Sequence, residues 1–432
     1  MRKEDSPVLL EQIPVGTAWA GHKVNFALLT TPPQQYAGYY NAERQLVIAT
    51  RTLPSPDWEY RKLDTAVGWD SHNTIQLFCD STGCLHIAAN MHASPLLYFQ
   101  MKRPHDLASI EQVGSLIGNC EERCTYPRFL TGPAGEMIFH YRYGASGCGN
   151  EIYNVYDAQT GRWSRLLDQP LTSGNGRMNA YFFGPVAGPD GFYHLAWVWR
   201  DNGDCATNHD LCYARSRDLR HWENAAGTPL SLPMTSDSPG IVVLPTAPRG
   251  SGLINMCGSI GFDSGKRPIL SFHLYDRDGA SRIFTLRLNQ NGPHQLVPHG
   301  NWPKAERWEF SGGGSIRQMV FAPPVRFQPD GTLLQDFEFV GRESGCWLLD
   351  PVTLKTRETL PPRTTCPAGL QTMEQSFPGL IRNWLPDAGC SGEPGVSWFL
   401  RWETLPANRD QPRQPPLPKP TRLTVCKVKL PE

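Results

Sequence analysis

The sequence predicts an all-β protein, a seven-bladed β-propeller, on three observations. The 432-residue chain contains 40 Gly and 39 Pro, a composition typical of many short strands joined by tight turns. Long helical periodicity is absent, whereas short alternating apolar segments are frequent. A strand–turn–strand unit also recurs, and its turns end in Gly83, Gly135, Gly191, Gly265 and Gly331. Repeats of this length, with about four strands each, are typical of propeller blades.

The repeats also predict how the chain is organised. Three are clear, "TIQLFCDSTGCLHIAAN", "YPRFLTGPAGEMIFHYRYG" and "AYFFGPVAGPDGFYHLAWVWR", and two later ones are degenerate. Seven blades of roughly 60 residues use the whole chain, so residues 1–432 are predicted to form a single propeller domain. Residues 406–420 are a Pro-rich linker, and "TRLTVCKVKL" is expected to close the ring with the N-terminal blade. The alternative is a large β-sandwich with irregular insertions.

Charge and cysteine content limit the partners and the compartment. Basic and acidic residues balance at 41 each, and no apolar run is long enough to span a membrane. We therefore expect a monomer that binds neither nucleic acid nor membranes. The N-terminal residues lack the apolar core of a secretory signal, but twelve cysteines favour an oxidising compartment. The expectation is a secreted or periplasmic protein whose signal has been removed, with the bridging candidates Cys79–Cys84, Cys120–Cys124 and Cys205–Cys212.

The first repeat brings two distant histidines together. Matching apolar faces pairs Ile75 with Ala89, Leu77 with Ile87 and Cys79 with Leu85. This register places His72 opposite His92, and directly paired side chains have Cβ atoms about 5 Å apart.

The next two repeats place similar residues at equivalent positions relative to their turns. Pairing Phe129 with Phe139 puts Tyr126 opposite Arg142, and in the third repeat Tyr181 falls near Trp199 and Arg200. Equivalent positions on successive blades project towards one face of a propeller. Catalytic residues are therefore predicted at one rim: His72, His92, Tyr126, Arg142 and Tyr181.

This set of residue types favours β-elimination from a uronic acid. Glycoside hydrolysis ordinarily needs two carboxylates that flank the bond, and the predicted set of two His, two Tyr and one Arg contains no close pair of carboxylates. An arginine with a Tyr or His hydrogen bond can neutralise a uronate carboxylate, while a histidine removes the C5 proton and a second group protonates the leaving oxygen. No cofactor is expected for catalysis. Substrate contacts are predicted for the neighbouring polar and aromatic residues Asn73, Arg128, Tyr143, Trp199 and Arg200.

A structural metal is a separate expectation. Cys205, His209 and Cys212 lie within eight residues and could supply part of a zinc site, which normally needs four nitrogen or sulfur ligands. A disulfide or two buried thiols are the alternatives.

An ordered series of motifs resembles the BNR-4 β-propeller proteins, which include the ulvan lyases of polysaccharide lyase families 24 and 25. The series runs from about residue 20 to residue 222 and includes "VGWDSHNTIQ", "ANMHASPLLYF", "TYPRF", "FHYRYGASG" and "TNHDLCYARSRDLRHW". The resemblance implies a canyon across a seven-bladed propeller that cleaves bonds between rhamnose 3-sulfate and uronate. It implies His72 as the general base, His92 as its neighbour or alternative, and Tyr126 as the other proton-transfer residue. Arg142 and Tyr181 would neutralise the uronate carboxylate.

Two other functions stay open at this point. One is an exo-acting rhamnose–glucuronate lyase or a glycoside hydrolase acting on side chains of plant gums. The other is a non-catalytic propeller that binds glycans, since a fold does not fix a function. The residues do not decide the exact polymer, its sulfation, or which of His72, His92 and Tyr126 is base and which is acid.

Overall fold

A computed structural model describes residues 6–431 of the chain, and these residues form an all-β structure. None of the described residues is α-helical. Short 3-10 turns occur at Leu107–Ser109, Cys205–Thr207, Lys304–Glu306 and Ala368–Leu370. Within the same range, no helix has the length and apolar character needed to cross a membrane.

The strands between residues 6 and 431 form seven antiparallel sheets, numbered here by their first strand in the chain. Sheet 1 joins the two ends of the chain and contains β1 (Val8–Ala18), β32 (Thr421–Lys429), β31 (Val396–Thr404) and β30 (Ile381–Pro386). Sheet 2 contains β2 (Ala27–Thr31), β3 (Gln34–Tyr40), β4 (Gln45–Thr52) and β5 (Glu59–Ala66). Sheet 3 contains β6 (Ile75–Cys79), β7 (Leu85–Ala89), β9 (Tyr98–Met101) and β10 (Ile110–Val113).

Sheets 4 to 7 continue this arrangement of strands that pair largely in chain order. Sheet 4 contains β8 (His92–Ser94), β11 (Cys124–Thr131), β12 (Met137–Ala145), β13 (Cys148–Asp157) and β14 (Arg162–Arg165). Sheet 5 contains β15 (Asn179–Ala187), β16 (Tyr193–Arg200), β17 (Asn208–Ser216), β18 (Trp222–Glu223), β19 (Pro229–Leu230) and β20 (Val242–Leu244). Sheet 6 contains β21 (Ser259–Phe262), β22 (Pro268–Tyr275), β23 (Ser281–Arg287) and β24 (Gln295–His299). Sheet 7 contains β25 (Val320–Phe321), β26 (Arg326–Phe327), β27 (Leu333–Phe339), β28 (Glu343–Leu349) and β29 (Thr356–Leu360).

The repeated unit of the sequence is a hairpin in each of sheets 3 to 7. Its turn glycine needs a positive φ, which glycine adopts without the steric penalty of a Cβ atom, at Gly83, Gly135, Gly191 and Gly331. The fourth repeat differs from the prediction, because the positive φ of 61° falls on Lys266 rather than on Gly265. The C-terminal strand β32 pairs with β1 from Val8↔Lys429 to Ala18↔Thr421. The two ends of the described chain therefore share sheet 1.

The apolar core lies between consecutive sheets. One cluster joins sheets 1, 2 and 3, and further clusters join sheets 3 and 4, 4 and 5, 5 and 6, and 6 and 7. Trp197 and Trp199 of β16, for example, pack with Ile138 of β12 in the cluster between sheets 4 and 5. Strands β7 and β16 are buried along almost their whole length, whereas β5 and β29 are largely exposed.

The twelve cysteines are all free thiols in the described residues. The three bridging candidates are therefore not disulfides in this structure.

Candidate active site

One carboxylate holds the two predicted histidines together. Asp70 lies just before β6, and its Oδ1 is 2.6 Å from Nδ1 of His72. Its Oδ2 is 2.5 Å from Nδ1 of His92. The two imidazole rings stack with their centroids 3.9 Å apart and their planes inclined by 23°. The contact between the histidines follows the prediction, and the carboxylate bridge adds to it.

The path that brings the rings together differs from the predicted hairpin. The register of β6 and β7 is as predicted, with Ile75↔Ala89, Leu77↔Ile87 and Cys79↔Leu85. The ladder ends at Ala89, however, and His92 begins β8, which pairs with β11 of sheet 4. The histidine contact therefore crosses from sheet 3 to sheet 4.

The hydrogen bonds fix the protonation of the pair. Burial raises the pKa of the Asp70 carboxyl, but hydrogen bonds from His72 and His92 outweigh burial and bring the pKa far below its ordinary value of 3.8. An ionised carboxylate only accepts hydrogen bonds, so each Nδ1 carries a proton. In a neutral ring, Nε2 is then the basic atom. The side chains of His72 and His92 are 17% and 32% exposed, so both rings can be reached from solvent.

A second carboxylate reaches His72 from the Pro-rich segment that was predicted to be a linker. Oδ2 of Asp410 lies 3.5 Å from Nδ1 of His72 and accepts a 2.7 Å hydrogen bond from the backbone N–H of Ser315. Oδ1 of Asp410 accepts from the backbone N–H of Ser71 at 3.1 Å. The Ser315 hydroxyl lies 3.3 Å from Nδ1 of His72. Segment 406–420 therefore contributes directly to the geometry around His72.

Tyr126 lies beside His72 because of a β-bulge. Phe129 pairs with Phe139 as predicted, but Arg142 pairs with Thr125 rather than with Tyr126. The register shifts between Thr125 and Arg128, where Pro127 has no N–H for the ladder and Tyr126 adopts a φ of 55°. The Tyr126 ring centroid lies 5.6 Å from that of His72. The bulge thus turns the phenol towards the histidines.

Arg142 lies beneath two tyrosines. It is 1% exposed, and its Nη2 donates to Oγ1 of Thr125 at 3.1 Å. Its Nη1 donates to the hydroxyl of Tyr181 at 3.4 Å, and its Cζ lies 5.0 Å from the centroid of the Tyr126 ring. The Nε atom is buried without a partner among the described residues. The guanidinium charge is therefore directed at the two phenols.

The two phenols have pKa values shifted in opposite directions. Burial and the neighbouring Tyr181 raise the pKa of Tyr126, and Arg142 and Arg200 offset this only in part. Burial also raises the pKa of Tyr181, but Arg200, Arg142 and a 3.0 Å hydrogen bond with Ser146 outweigh it and lower the pKa. Tyr126 therefore stays protonated near neutral pH, whereas Tyr181 is the more acidic phenol and the stronger hydrogen-bond donor.

The third hairpin corrects one predicted substrate contact. Tyr181 pairs with Val198, and Trp199 pairs with Ala180, because the register shifts between Phe183 and Val186. Trp199 is 0% exposed in the core between sheets 4 and 5, so its indole is not available to a substrate. Arg200 lies closer to the site, with its Cζ 5.2 Å from the centroid of the Tyr181 ring.

The remaining predicted contacts occupy different surroundings. Arg128 is exposed and lines a cavity of about 110 Å³ together with Tyr126 and Tyr181. Asn73 is half-buried next to His72, and its carbonyl accepts from the hydroxyl of Tyr40 at 2.8 Å. Tyr143 lies on the face of β12 opposite to Arg142 and packs on the core between sheets 3 and 4. Arg128 and Asn73 thus adjoin the site, whereas Tyr143 faces away from it.

The predicted zinc ligands do not converge. Among the described residues, Asp70, His72 and His92 form the one set of three ligand-type side chains whose atoms lie within 4.8 Å of one another, and Cys205, His209 and Cys212 are not such a set. Both ring nitrogens of His209 contact carboxylates instead, Asp201 and Asp210 at 3.0 Å each. The close spacing in sequence does not bring these side chains together, because alternate residues of β17 face opposite sides and Cys205 lies in the 3-10 turn before that strand. In the Asp70 set, a cation would have to displace the two Nδ1–H bonds.

Sequence reasoning missed Asp70 and Asp410 as parts of the site. Asp70 had a local signal, because its Oδ1 accepts from the backbone N–H of His72 at 2.8 Å in an Asx-type turn. Asp410 had none, since it is 338 residues further along the chain than His72 and lies in an irregular segment.

Comparisons with known proteins identify the family of this chain and its fold. Residues 34–302 match BNR_4, described as a BNR repeat-containing family member. The short isoform of ulvan lyase from Alteromonas sp. (strain LOR) is 24% identical over 169 residues, which are 34% of this chain and 31% of that protein. The long isoform from Pseudoalteromonas sp. (strain PLSV) is 26% identical over 121 residues, 26% of this chain and 12% of that protein. The chain thus matches less than a third of the length of these curated relatives.

Solved structures share the fold over almost the whole chain. Polysaccharide lyase Uly1 superposes with a TM-score of 0.61 at 14% identity, covering 98% of this chain and 100% of the other. A PL25 ulvan lyase bound to -[GlcA(1-4)Rha3S]- superposes with a TM-score of 0.61 at 12% identity, covering 96% and 95% of the two chains. At these identities the similarity establishes the fold alone.

Proposed function

Because this chain belongs to the BNR_4 family of BNR repeat-containing proteins, we propose that it is a polysaccharide lyase of the ulvan lyase type. It would cleave a uronate-containing polymer by β-elimination. The observation that carries the proposal is the pair of histidines joined by Asp70, with the His72 ring beside that of Tyr126 and the Arg142–Tyr181 pair nearby. The names of the relatives, ulvan lyases, support the choice of an ulvan-like polymer.

The architecture that we propose for this function is one seven-bladed propeller formed by residues 1–432. Seven sheets in chain order, cores between successive sheets and the pairing of β1 with β32 support it. Because the proposed substrate is a large polysaccharide, we infer that the protein is secreted or periplasmic.

The proposed reaction begins at C5 of the uronate. Nε2 of His72 removes the C5 proton, and the electron pair of the C5–H bond forms the C4–C5 double bond as the C4–O4 bond breaks. The negative charge that develops on the carboxylate is stabilised by the Tyr181 hydroxyl and by Arg142 behind it. Asp70 holds the His72 ring in the tautomer that has its lone pair on Nε2 and stabilises the imidazolium that forms.

Tyr126 is the acid in this scheme. Its phenol stays protonated because burial raises its pKa, and it donates that proton to the departing O4. The reaction leaves an imidazolium on His72 and a phenolate on Tyr126, whose rings are 5.6 Å apart. Proton return from His72 to Tyr126 restores both groups, so the cycle balances without a cofactor.

The carboxylates near the histidines argue against hydrolysis. Asp70 is held by two Nδ1–H bonds, and Asp410 accepts from two backbone N–H groups. Inverting and retaining hydrolases need one carboxylic acid and one free carboxylate across the bond, and neither group has that freedom.

The test is incubation of the protein with ulvan while the ultraviolet absorbance of the conjugated 4,5-unsaturated uronate is followed. The proposal expects a steady rise that is abolished in His72→Ala and retained in Lys62→Gln, an exposed substitution on β5. Reducing ends without absorbance would indicate a hydrolase. Binding without either product would indicate a glycan-binding protein, and each of these two outcomes would overturn the proposal.

A further inference from the structure

A cavity of about 430 Å³ adjoins His72, and Arg142 is not among the residues that line it. Ser71 and Ser315 line it, and both contact the surroundings of His72: Ser71 is its chain neighbour, and the Ser315 hydroxyl is 3.3 Å from its Nδ1. A volume of this size lies in the range of pockets that hold small ligands, which is roughly 300–1,000 Å³. The cavity can therefore take a sugar unit next to the one that reacts at His72.

The cavity lies on the same side of the sheets as the proposed active site. Its lining includes Asn25 just before β2, Ser71 just before β6, Met256 just before β21, Ser315 just before β25 and Ile381 at the start of β30. His72 also lies just before β6. A polymer that crosses this end of the sheets would meet the histidines and the cavity in succession.

The charges that line the cavity are mostly positive. Lys23, Arg317 and Arg382 face one acidic residue, Glu338. Among residues 6–431, none of the three cations has a carboxylate oxygen within 4.0 Å. Arg215 and Arg401, by contrast, form ion pairs elsewhere in the protein.

Arg317 is exposed, whereas Lys23 and Arg382 are half-buried, and burial without a counter-ion is unfavourable for these two cations. Burial lowers the pKa of the half-buried Lys23 ammonium, and no acidic neighbour offsets this effect. Arg382 donates through Nη1 to the carbonyl of Gln371, while its Nε is buried without a partner in the described part of the chain. Desolvated charges are normally paired, so an anion in the cavity would supply the missing partner.

The geometry points to this cavity as a subsite for an anionic substituent of the polymer, a sulfate ester or the carboxylate of a further uronate, bound by Lys23, Arg317 and Arg382. This inference rests on the proposed function and deepens it. Arg142 and Tyr181 would then stabilise the carboxylate of the reacting sugar, while the three cations of the cavity bind the charge on a neighbouring sugar. Two separate anion sites near His72 would fix the register of the polysaccharide.

The test compares the variants Lys23→Gln and Arg317→Gln with the wild type on native ulvan and on chemically desulfated ulvan. Each substitution removes a charge-assisted contact, so we expect KM on native ulvan to rise roughly tenfold with kcat within twofold. If the tenfold effect disappears on desulfated ulvan, the ligand is the sulfate ester. If it persists, the ligand is a carboxylate.

Controls separate this inference from the proposed function. Lys62→Gln removes one exposed charge on β5 and should leave KM unchanged on both polymers. A KM within twofold of the wild type for both cavity variants on native ulvan would overturn the subsite, while activity in the wild type would leave the lyase proposal intact. If the wild type has no lyase activity, direct binding of native ulvan in affinity electrophoresis tests the cavity by itself. Unchanged retardation of Lys23→Gln and Arg317→Gln would then overturn it.

Discussion

The variant Asp70→Asn tests the role of the carboxylate that joins His72 and His92. The wild-type carboxylate accepts one Nδ1–H bond on each oxygen, at 2.6 and 2.5 Å. Asparagine has one acceptor oxygen and one NH₂ donor, so only one histidine can keep its Nδ1–H bond. The other ring faces a donor and turns to the tautomer in which Nε2 carries the proton and is no longer a base.

The size of the effect follows from the bonds lost. Two charge-assisted hydrogen bonds of about 2 kcal/mol each are replaced by two neutral bonds of about 1 kcal/mol each. The net loss of about 2 kcal/mol corresponds to roughly a 30-fold lower kcat, since each 1.36 kcal/mol changes a rate tenfold. KM should change less than threefold, because Asp70 contacts the histidines rather than the substrate.

The assay is the initial rate of absorbance increase on ulvan, with Asp64→Asn as the matched control. Asp64 is exposed on β5, so its substitution makes the same chemical change away from the site. A kcat of Asp70→Asn within threefold of the wild type would refute the reasoning. An equal loss in Asp64→Asn would also refute it.

Three further predictions concern the same residues and the core. Asp70 has a folded-state pKa below its ordinary value of 3.8, so the ionised carboxylate stabilises the fold above that pH, and this stabilisation declines as the pH falls below it. The difference in unfolding free energy between the wild type and Asp70→Asn, measured in urea, should therefore shrink below about pH 3.8. A difference that stays constant would contradict this. Tyr126→Phe removes the proposed acid and should lower kcat by roughly 10²-fold or more with little change in KM, measured by the same absorbance assay; full activity would exclude Tyr126 as the acid. Trp199→Ala should lower the unfolding free energy by about 3–5 kcal/mol, because it removes a fully buried indole, while KM of the folded enzyme stays unchanged. A raised KM at normal stability would instead indicate that Trp199 contacts the substrate.

The sequence predicted the pairing of strands well because the apolar side chains of the hairpins strongly favour burial in one register. Alternating apolar residues set the register of β6 and β7, where a slip by one residue would have exposed Ile75 and Leu77. Turn glycines were also informative, because a positive φ at Gly83 or Gly135 costs little only for a residue without a Cβ atom.

The predicted positions failed where the ladder is irregular or where contacts are distant in sequence. The bulges at Tyr126 and after Phe183 shift the partners of Arg142 and Trp199, and periodicity does not reveal an extra residue in a strand. The contribution of Asp410 depends on how segment 406–420 passes beside His72, which no local pattern encodes. The cationic cavity likewise assembles from residues that precede strands of several sheets.

The measurement that tests the central claim most directly is mass spectrometry of the ulvan fragments. Elimination at the Asp70–His72–His92 site forms a C4–C5 double bond without consuming water, so each new non-reducing end should be an unsaturated uronate whose fragment is lighter than the hydrolysis product by the mass of one water molecule. Fragments whose new non-reducing end is a saturated uronate would show hydrolysis and would contradict the account.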